Sequence, residues 1–583
     1  MGGQIRTVIG CLGDLFSRST GIIYVLPRHR LLCPLDHKRR LHMTKVLLMM
    51  FVCCVAAHAQ WQPHGVAVCD TPGSGAISKL PEVTSDGSGG AYVVWRDGRN
   101  GVDYDVYAQR VDNSGVIRWL HNGIPIAALP GGGQDYPMVC YDGVGGMLTA
   151  WEDSRPTLND TYVFAQRVDS SGNQLWQTNG VKISDASGGF VRMAADLTGG
   201  VVVGWTSYSG IGESNPFVQR LDGLGQRAWG DSGVCLSTRS GELSLGEMAV
   251  TSDGSGGAIA AWIEGNSTYA QRVDSSGKIR WQANGVSLSG NAQYGRFATG
   301  AVSDMQGGAF VTWTLIPNAG VYLQHISGSG QVLWADTGLY VSYGGTAGNI
   351  VSDSAGGAIV LTGYVVGSQI VDRLYRVRAN GTHHWVGGAP YTQEAISEVS
   401  LASDGNGGAF VAMTKSGGRV NAQWIDSSGT VRYDSNGVVM SNVGGGKEQP
   451  RIATAGVGEA IGVWNLDGAG YTSVFAAKVA DTVVVDDVRK DKRTGPSELR
   501  LLQNYPNPFN PETTIEFVIP NRGRVTLKIF DVLGRVVDTL IDEQRGAGTY
   551  HTPWRAINRS SGVYFLALQL NGSTLVKKMI LLR

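Results

Sequence analysis

The sequence is poor in charge and has no excess of either sign. Charged residues make up 16% of the chain, and 48 Lys and Arg balance 48 Asp and Glu, so the formal net charge is zero. A protein that binds nucleic acid by neutralising phosphates would carry a positive excess, so we expect no nucleic-acid partner. Long apolar runs are missing beyond residue 60, which predicts no transmembrane segment in the mature chain.

Cysteine is scarce as well. Four of the seven cysteines lie at or before residue 54, which leaves Cys69, Cys140 and Cys235. An odd number on different predicted strands indicates buried free thiols and no disulfide. No C-x-x-C spacing and no H-E-x-x-H pattern occurs, so we predict no zinc site and assign no cofactor or metal.

The N-terminal segment has the features of an export signal. An apolar run at 46–57 is too short to span a bilayer and suits a signal-peptide core. Lys45 precedes it, and Ala57-His58-Ala59 fits the small-x-small cleavage rule. We therefore interpret residues 1–59 as leader and signal peptide. Met43 would begin a complete signal peptide and is our predicted true start; the alternative is a long basic leader.

Glycine is abundant, at 83 of 583 residues, and much of it belongs to an internal repeat. The segment SDGSGGAYVVW at 85–95 has seven further copies, which begin at residues 141, 195, 252, 303, 352, 403 and 454. A second motif, YAQRVDNSGVIRW at 107–119, follows the first in each period and is truncated in the eighth, at 475–481. The pattern predicts short strands joined by tight turns.

Each period contains four strand-like pieces, which is typical of a propeller blade. The eighth copy ends at Asp481 before a fourth strand, whereas residues 61–69, at the other end of the chain, match the fourth-strand pattern. We therefore predict an all-β chain in which residues 60–481 form an eight-bladed β-propeller with four strands per blade. The N-terminal strand would close the ring and remove an open sheet edge.

Residues that recur in the repeats are interpreted as structural. Asp86 and the glycines after it would form a capped turn, and this loop lacks the D-x-D-x-D-G pattern of a calcium site. Gln109 recurs in six repeats and is expected to bond to the backbone of the adjacent blade. Trp119 also recurs, and we expect it to wedge between blades.

A different pattern begins at Leu499, after charged residues 482–498 that we interpret as a linker. Ile515, Phe517 and Ile519 recur at every second position, and short strands between turn residues suggest a small β-sandwich.

The C-terminal motifs closely resemble the type IX secretion sorting domain, type A, and the related Ig-like domain of flagellar hook-capping proteins. They are NYPNPFNP at 504–511, DVLGR at 531–535, SGVYF at 561–565 and KKMILLR at 577–583. The resemblance implies that residues 499–583 interact with the secretion machinery. It also implies Sec export, passage through the outer membrane, and a secreted or cell-surface location.

These observations favour a secreted or cell-surface binding or adhesion protein whose ligand is a glycan or a surface protein. Two alternatives stay open: an extracellular propeller enzyme that acts on glycans, and a structural surface component. No catalytic residue is predicted. The loops between strands two and three and between blades would share one face, and they differ between repeats, so we expect the binding surface there.

The candidate binding residues follow strand two of the first two repeats. Residues 95–99 and 151–155 share a W-x-D-x-R pattern that the other repeats lack. The candidate residues are Asp97, Arg99, Asp153 and Arg155, which could hydrogen-bond sugar hydroxyls, or the aspartates could hold a calcium ion. The alternative is that each Asp pairs with the Arg two residues on and only braces its loop.

Overall fold

A computed structural model describes two compact units, Met1–Val485 and Asp486–Arg583. The described residues are 61–62, 64–70, 78–157, 160–196, 198–210, 213–239, 248–290, 296–315, 320–343, 349–366, 369–394, 396–415, 417–442, 445–467, 472–480, 499–501, 504, 509, 511–557, 559–571 and 573–581. The predicted leader and signal peptide (1–59) and the predicted linker (482–498) lie outside them. In these ranges all regular structure is β-strand, and no helix is long and apolar enough to cross a membrane.

The described part of the first unit forms eight four-stranded antiparallel sheets. Sheets one to four are β2(Ser78–Ser85), β3(Ala91–Asp97), β4(Asp105–Val111), β5(Ile124–Ala127); β6(Gln134–Tyr141), β7(Met147–Thr157), β8(Asp160–Val168), β9(Val181–Lys182); β10(Gly188–Ala195), β11(Val201–Gly210), β12(Glu213–Leu221), β13(Val234–Cys235); and β14(Ala249–Ser252), β15(Ala258–Glu264), β16(Ser267–Val273), β17(Val286–Ser287).

Sheets five to seven continue the pattern, and sheet eight takes one strand from the start of the unit. They are β18(Arg296–Ser303), β19(Ala309–Leu315), β20(Gly320–Ile326), β21(Leu339–Tyr343); β22(Ile350–Ser352), β23(Ala358–Val366), β24(Gln369–Val377), β25(Ala389–Pro390); β26(Ile396–Ser403), β27(Ala409–Lys415), β28(Arg419–Ile425), β29(Val438–Ser441); and β30(Gly446–Gly456), β31(Glu459–Asp467), β32(Thr472–Ala480), with β1(Val66–Cys69) beside β32. The prediction of an all-β chain built from four-stranded sheets is confirmed.

The repeated turn between the first two strands is held by its own aspartate. In sheet one, Asp86 Oδ1 accepts the backbone N–H groups of Ser88 (2.7 Å) and Gly90 (2.8 Å). A Cβ on Gly90 would lie 2.4 Å from the carbonyl oxygen of Val111, so only glycine permits this approach of two backbones. The same pair of aspartate bonds recurs at Asp142, Asp196, Asp253, Asp304, Asp353 and Asp404.

Tryptophans occupy two sets of positions. Those within the second strand are buried, and each stacks on an aromatic residue of strand three, as Trp95 does on Tyr107 at 6.4 Å between ring centres. Those that follow strand three reach the next sheet: Trp119 Nε1 donates to the carbonyl of Ser170 at 3.1 Å. Five further tryptophans repeat this second bond, so the predicted wedge is confirmed at Trp176, Trp229, Trp281, Trp334 and Trp385.

The repeated glutamine bonds differently from our prediction. Gln109 is buried, but its Nε2 donates to the carbonyl of Leu120 (2.7 Å), and its Oε1 accepts the N–H groups of Arg110 and Trp119 (2.9 Å each). All three partners belong to its own repeat, so the predicted bond to the adjacent blade is wrong for Gln109, whereas Gln324 Nε2 also contacts the carbonyl of Leu288 in the adjacent sheet at 3.5 Å. The glutamine instead ties strand three to the segment that leads to strand four.

None of the three cysteines in the described residues forms a disulfide, and they lie in three different sheets. Cys69, on β1, is buried, whereas Cys140 on β6 and Cys235 on β13 are half-buried.

The first strands of successive sheets pack against one another, from β2 and β6 through β26 and β30, and β30 packs against β2. Sheet eight therefore contacts sheet one. Arg451 Nε donates to Glu82 Oε1 at 2.8 Å, and the N–H of Leu80 donates to Gln449 Oε1 at 2.9 Å. In sheet eight, β1 pairs antiparallel with β32, so the sheet combines residues from both ends of the unit.

The second unit has two sheets around one core. One sheet has the order β33(Arg500–Leu501), β34(Glu512–Ile519), β37(Gly548–Arg555), and the other has the order β36(Val536–Arg545), β35(Gly523–Asp531), β38(Gly562–Leu570), β39(Ser573–Leu581). Ile515, Phe517 and Ile519 from the first sheet pack with Leu527 and Leu566 from the second, and all five are fully buried. The alternation seen in the sequence therefore marks the core-facing positions.

Candidate functional site

The connections of each sheet in the first unit lie at two opposite ends. The turns between strands one and two and between strands three and four lie at one end, which we call the repeat-turn face. The loops between strands two and three, and those that lead to the next sheet, lie at the other end, which we call the variable-loop face.

On the repeat-turn face, the charged groups satisfy one another. Asp86 Oδ2 accepts Arg110 Nη2 at 2.9 Å, and Arg110 Nη1 donates to the carbonyl of Ser170 in the next sheet at 3.2 Å. The equivalent carboxylates contact one nitrogen-bearing side chain each: Arg167, Arg220, Arg272, His325, Arg376 and Trp424. These repeated charges therefore hold turns and neighbouring sheets together.

On the variable-loop face, the predicted residue Asp97 ends β3 and is fully buried. Its Oδ2 accepts Trp95 Nε1 at 2.7 Å and Arg99 Nη2 at 2.6 Å, and its Oδ1 accepts Arg99 Nε at 2.8 Å. Burial alone would raise the pKa of the Asp97 carboxyl, but the hydrogen bonds and charge of Arg99 outweigh it, so this pKa is lowered. Arg99 also lies 3.8 Å above the ring centre of Tyr107.

Sheet two repeats this arrangement. Asp153 is fully buried and accepts Trp151 Nε1 at 2.9 Å and Arg155 Nε at 2.7 Å. The Arg155 guanidinium lies 4.3 Å above the ring centre of Phe164. The structure thus joins each predicted aspartate to the arginine two residues on, as in the loop-brace alternative, and only the arginines keep exposed surface: 21% of the Arg99 side chain and 17% of Arg155.

The same position carries a buried charge in two other sheets, where the sequence pattern did not show it. In sheet four, Glu264 occupies it and pairs with Arg239 Nη1 at 3.0 Å, and Arg239 lies over Tyr269. In sheet seven the position holds the buried Lys415, whose nearest acidic partner is Glu394 at 3.7 Å. The partners come from the preceding inter-sheet loop, so no fixed local spacing marks them.

Acidic side chains also gather in the first loop. Asn100 Nδ2 donates to Asp103 Oδ1 and, at 3.1 Å, to Asp105 Oδ2. Burial, together with the charges of Asp103 and Asp97, raises the pKa of Asp105 to about 6. In the part of the chain that the structure describes, no group of three or more His, Cys, Asp or Glu is placed to hold a metal ion.

A cleft of about 370 Å³ opens on the variable-loop face, between sheets seven and eight. It is lined by Ile396, Ser397, Thr414, Lys415, Gly417, Gly418, Gly446, Lys447 and Glu448. None of these belongs to the W-x-D-x-R pattern, and no motif in the sequence marks the cleft, because it forms where the start of β30 meets the end of β27.

The second unit identifies the export class of the chain. Residues 503–582 match the family described as the secretion system C-terminal sorting domain. This match indicates export through the type IX secretion system and a secreted or cell-surface location, which confirms the location that the C-terminal motifs implied. It also implies an interaction of this unit with the secretion machinery.

Other comparisons add no close relative. No curated protein matches the sequence. Among solved structures, a protein of unknown function from Dyadobacter fermentans is 8% identical, with 71% of this chain and 98% of that chain covered and a TM-score of 0.34. PorZ of Porphyromonas gingivalis, a surface component of the type IX secretion system, is 11% identical, with 90% and 85% covered and a TM-score of 0.23. The six-bladed propeller lectin of Aleuria aurantia is 11% identical, with 61% and 99% covered and a TM-score of 0.28.

Proposed function

We propose that the first unit is a closed eight-bladed β-propeller that binds a glycan or a protein at the cell surface. Support comes from the eight four-stranded sheets, from the packing of β30 against β2, and from the pairing of β1 with β32. The second unit, a two-sheet sandwich in which we propose an Ig-like fold, carries the export address. Residues 43–59 would serve as the signal peptide for the inner membrane.

The observation that carries the binding proposal is the contrast between the two faces. On the repeat-turn face the aspartates are bonded to their own turns and to one neighbouring side chain each. Such groups have little left to offer a ligand. The variable-loop face instead holds the cleft between sheets seven and eight and loops that differ between repeats. The exposed fractions of Arg99 and Arg155 (21% and 17%) match that of Arg110 on the repeat-turn face (19%), so the arginines alone do not distinguish the faces. We therefore propose the variable-loop face as the binding surface.

The four predicted residues take two roles in this proposal. Asp97 and Asp153 are fully buried, so they would position the arginines and would not touch a ligand. Arg99 and Arg155 would contact it through their exposed N–H groups, which suit sugar hydroxyls and carboxylates.

A pair of insertions tests the choice of face. An eight-residue tag is placed between Pro130 and Gly131, in the loop from sheet one to sheet two, and the control carries the same tag between Asn113 and Ser114, in a repeated turn. Full chains with unchanged melting temperatures are compared on a glycan array and on whole cells. We expect the first insertion to weaken binding at least about tenfold and the control to change it less than twofold, and the reverse order would refute the assignment.

A further inference from the structure

The cleft between sheets seven and eight has the size of a small-molecule site. Its volume of about 370 Å³ lies near the lower end of the range of about 300–1,000 Å³ that ligand pockets occupy. Four stretches of chain line it: the start of β26, the end of β27, the β27–β28 turn and the start of β30. It lies among loops that differ between repeats, and binding residues concentrate in such loops.

A buried positive charge lies in the wall of the cleft. Lys447 is 3% exposed, and its Nζ donates to the carbonyl of Gly418, which also lines the cleft, at 2.7 Å. Burial lowers the pKa of the Lys447 ammonium, since the charged form has lost hydration. An incoming anion would restore part of the lost charge stabilisation, so this wall favours a negatively charged group.

A buried hydroxyl lines the same cleft. Thr414 is 4% exposed, and within the described residues its Oγ1 has no hydrogen-bond partner. A buried polar atom without a partner is uncommon in folded proteins and calls for one from outside. Ser397 and the rim carboxylate of Glu448 could meet further hydroxyl groups, since the two side chains offer one donor and several acceptors.

The second lysine that lines the cleft, Lys415, is held by groups outside it. Lys415 Nζ donates to the carbonyl of Asn436 at 2.7 Å and lies near Glu394, which Arg419 also contacts at 2.9 Å. Among the nine lining residues none is aromatic, so no ring is available on which a sugar or base could stack. The lining therefore suits charge and hydrogen bonding.

We propose that this cleft binds a sugar acid, with the carboxylate of the ligand at Lys447 and one of its oxygens at the Thr414 hydroxyl. The inference rests on the proposed function, because it narrows the glycan ligand to one class and places it on the variable-loop face.

The test titrates the full chain with D-galacturonate by calorimetry. D-galactose, which lacks the carboxylate, and N-acetyl-L-glutamate, which has carboxylates without a sugar ring, are the comparison probes. We expect saturable galacturonate binding at least about tenfold tighter than that of either comparison probe. The absence of such binding overturns the proposal, and equal binding of N-acetyl-L-glutamate overturns its sugar part.

Two variants and two matched controls locate the site. Lys447→Met should weaken galacturonate binding at least about tenfold, and Thr414→Val, which keeps the side-chain shape, at least threefold. The control Thr149→Val changes another buried threonine whose Oγ1 has no partner in the described residues, far along the chain in sheet two. Lys182→Met changes a lysine that lies over Tyr162. Both controls should stay within twofold of the parent.

Each outcome bears on one claim. If Lys447→Met lowers the melting temperature so far that it cannot be used, Thr414→Val decides, and unchanged binding in that variant overturns the proposal. If the full chain binds galacturonate but no glycan on the array, the proposed function is contradicted, and the cleft remains a sugar-acid site. If the full chain binds glycans on the array but not galacturonate, the cleft proposal is overturned, and the proposed function stands.

Discussion

The pair formed by Asp97 and Arg99 allows a quantitative test of what the W-x-D-x-R pattern does. The variants are Asp97→Ala, Arg99→Ala and the double variant, each in the full chain. Asp97 accepts hydrogen bonds from Trp95, from Arg99 and, at 3.2 Å, from Ser78 Oγ. Any single change therefore leaves at least one buried polar group without its partner.

The expected magnitudes follow from burial. Breaking a buried ion pair by removing one partner costs about 3–5 kcal/mol, since the other charge stays behind uncompensated. Arg99→Ala leaves a fully buried carboxylate and should cost about 4 kcal/mol, whereas Asp97→Ala leaves a guanidinium that is 21% exposed and should cost about 3 kcal/mol. The double variant should cost about 4 kcal/mol, so the two residues are coupled by about 3 kcal/mol.

The assay is thermal and urea unfolding followed by tryptophan fluorescence. At an unfolding entropy of about 2.1 cal/mol/K per residue over roughly 400 residues, a loss of 4 kcal/mol lowers Tm by about 5 °C. The control is the exposed pair Arg524–Asp542, whose nitrogen and oxygen lie 2.8 Å apart and whose coupling should be far weaker, because water screens both charges. Coupling below about 1 kcal/mol for Asp97 and Arg99 would refute the brace. Unchanged stability together with lost ligand binding would assign the pair to recognition alone.

Three further predictions follow from single residues or from one unit. Burial raises the pKa of Asp372 to about 6, above the usual value near 4, so its contribution to stability is present below pH 4 and is lost as pH rises through 6. The free energy of unfolding of Asp372→Asn, measured in urea relative to that of the parent, should therefore rise by about 2–3 kcal/mol between pH 4 and pH 7. A difference between variant and parent that stays constant over this range would contradict the prediction. Gly90→Ala should cost about 1–3 kcal/mol in the same assay, because its Cβ would meet the Val111 carbonyl, whereas Gly133→Ala, with open space around it, should cost less than about 0.5 kcal/mol. Deletion of residues 499–583 should leave the first unit folded but keep it inside the outer membrane in a host with a type IX system, as cell fractionation would show; surface display of the truncated chain would contradict the role of the tail.

The features that the sequence predicted well are those that local geometry sets. Asp86 binds N–H groups two and four residues on, so the turn could be derived from its own residues. Trp119 repeats with the period of the sheets, which predicts the same contact each time. A buried amide needs hydrogen-bond partners, but the sequence does not say which backbone groups lie nearest to it. The partner of Gln109 was therefore assigned wrongly.

The parts that were missed depend on distant residues. Arg96 Nη1 binds Asp135 at 2.9 Å, which links sheet one to sheet two across 39 positions. Glu264 pairs with Arg239, which lies in the loop before sheet four. In sheet seven the equivalent position holds Lys415, so the charge there is positive instead of negative. The cleft combines short stretches of β26, of β27 with the turn after it, and of β30, none of which is unusual alone. The W-x-D-x-R pattern was visible because both its partners fall within five residues, and its role in ligand binding stays a prediction.

The pairing of β1 with β32 sets an order of events for a chain that leaves the ribosome N-terminus first. Val66 pairs with Ala476, so sheet eight cannot be completed until almost the whole first unit has been synthesised. The sorting unit begins only after that last strand, and a chain interrupted earlier would carry neither a finished sheet eight nor an address. We therefore expect prematurely ended products to lack the signal for the outer-membrane export step.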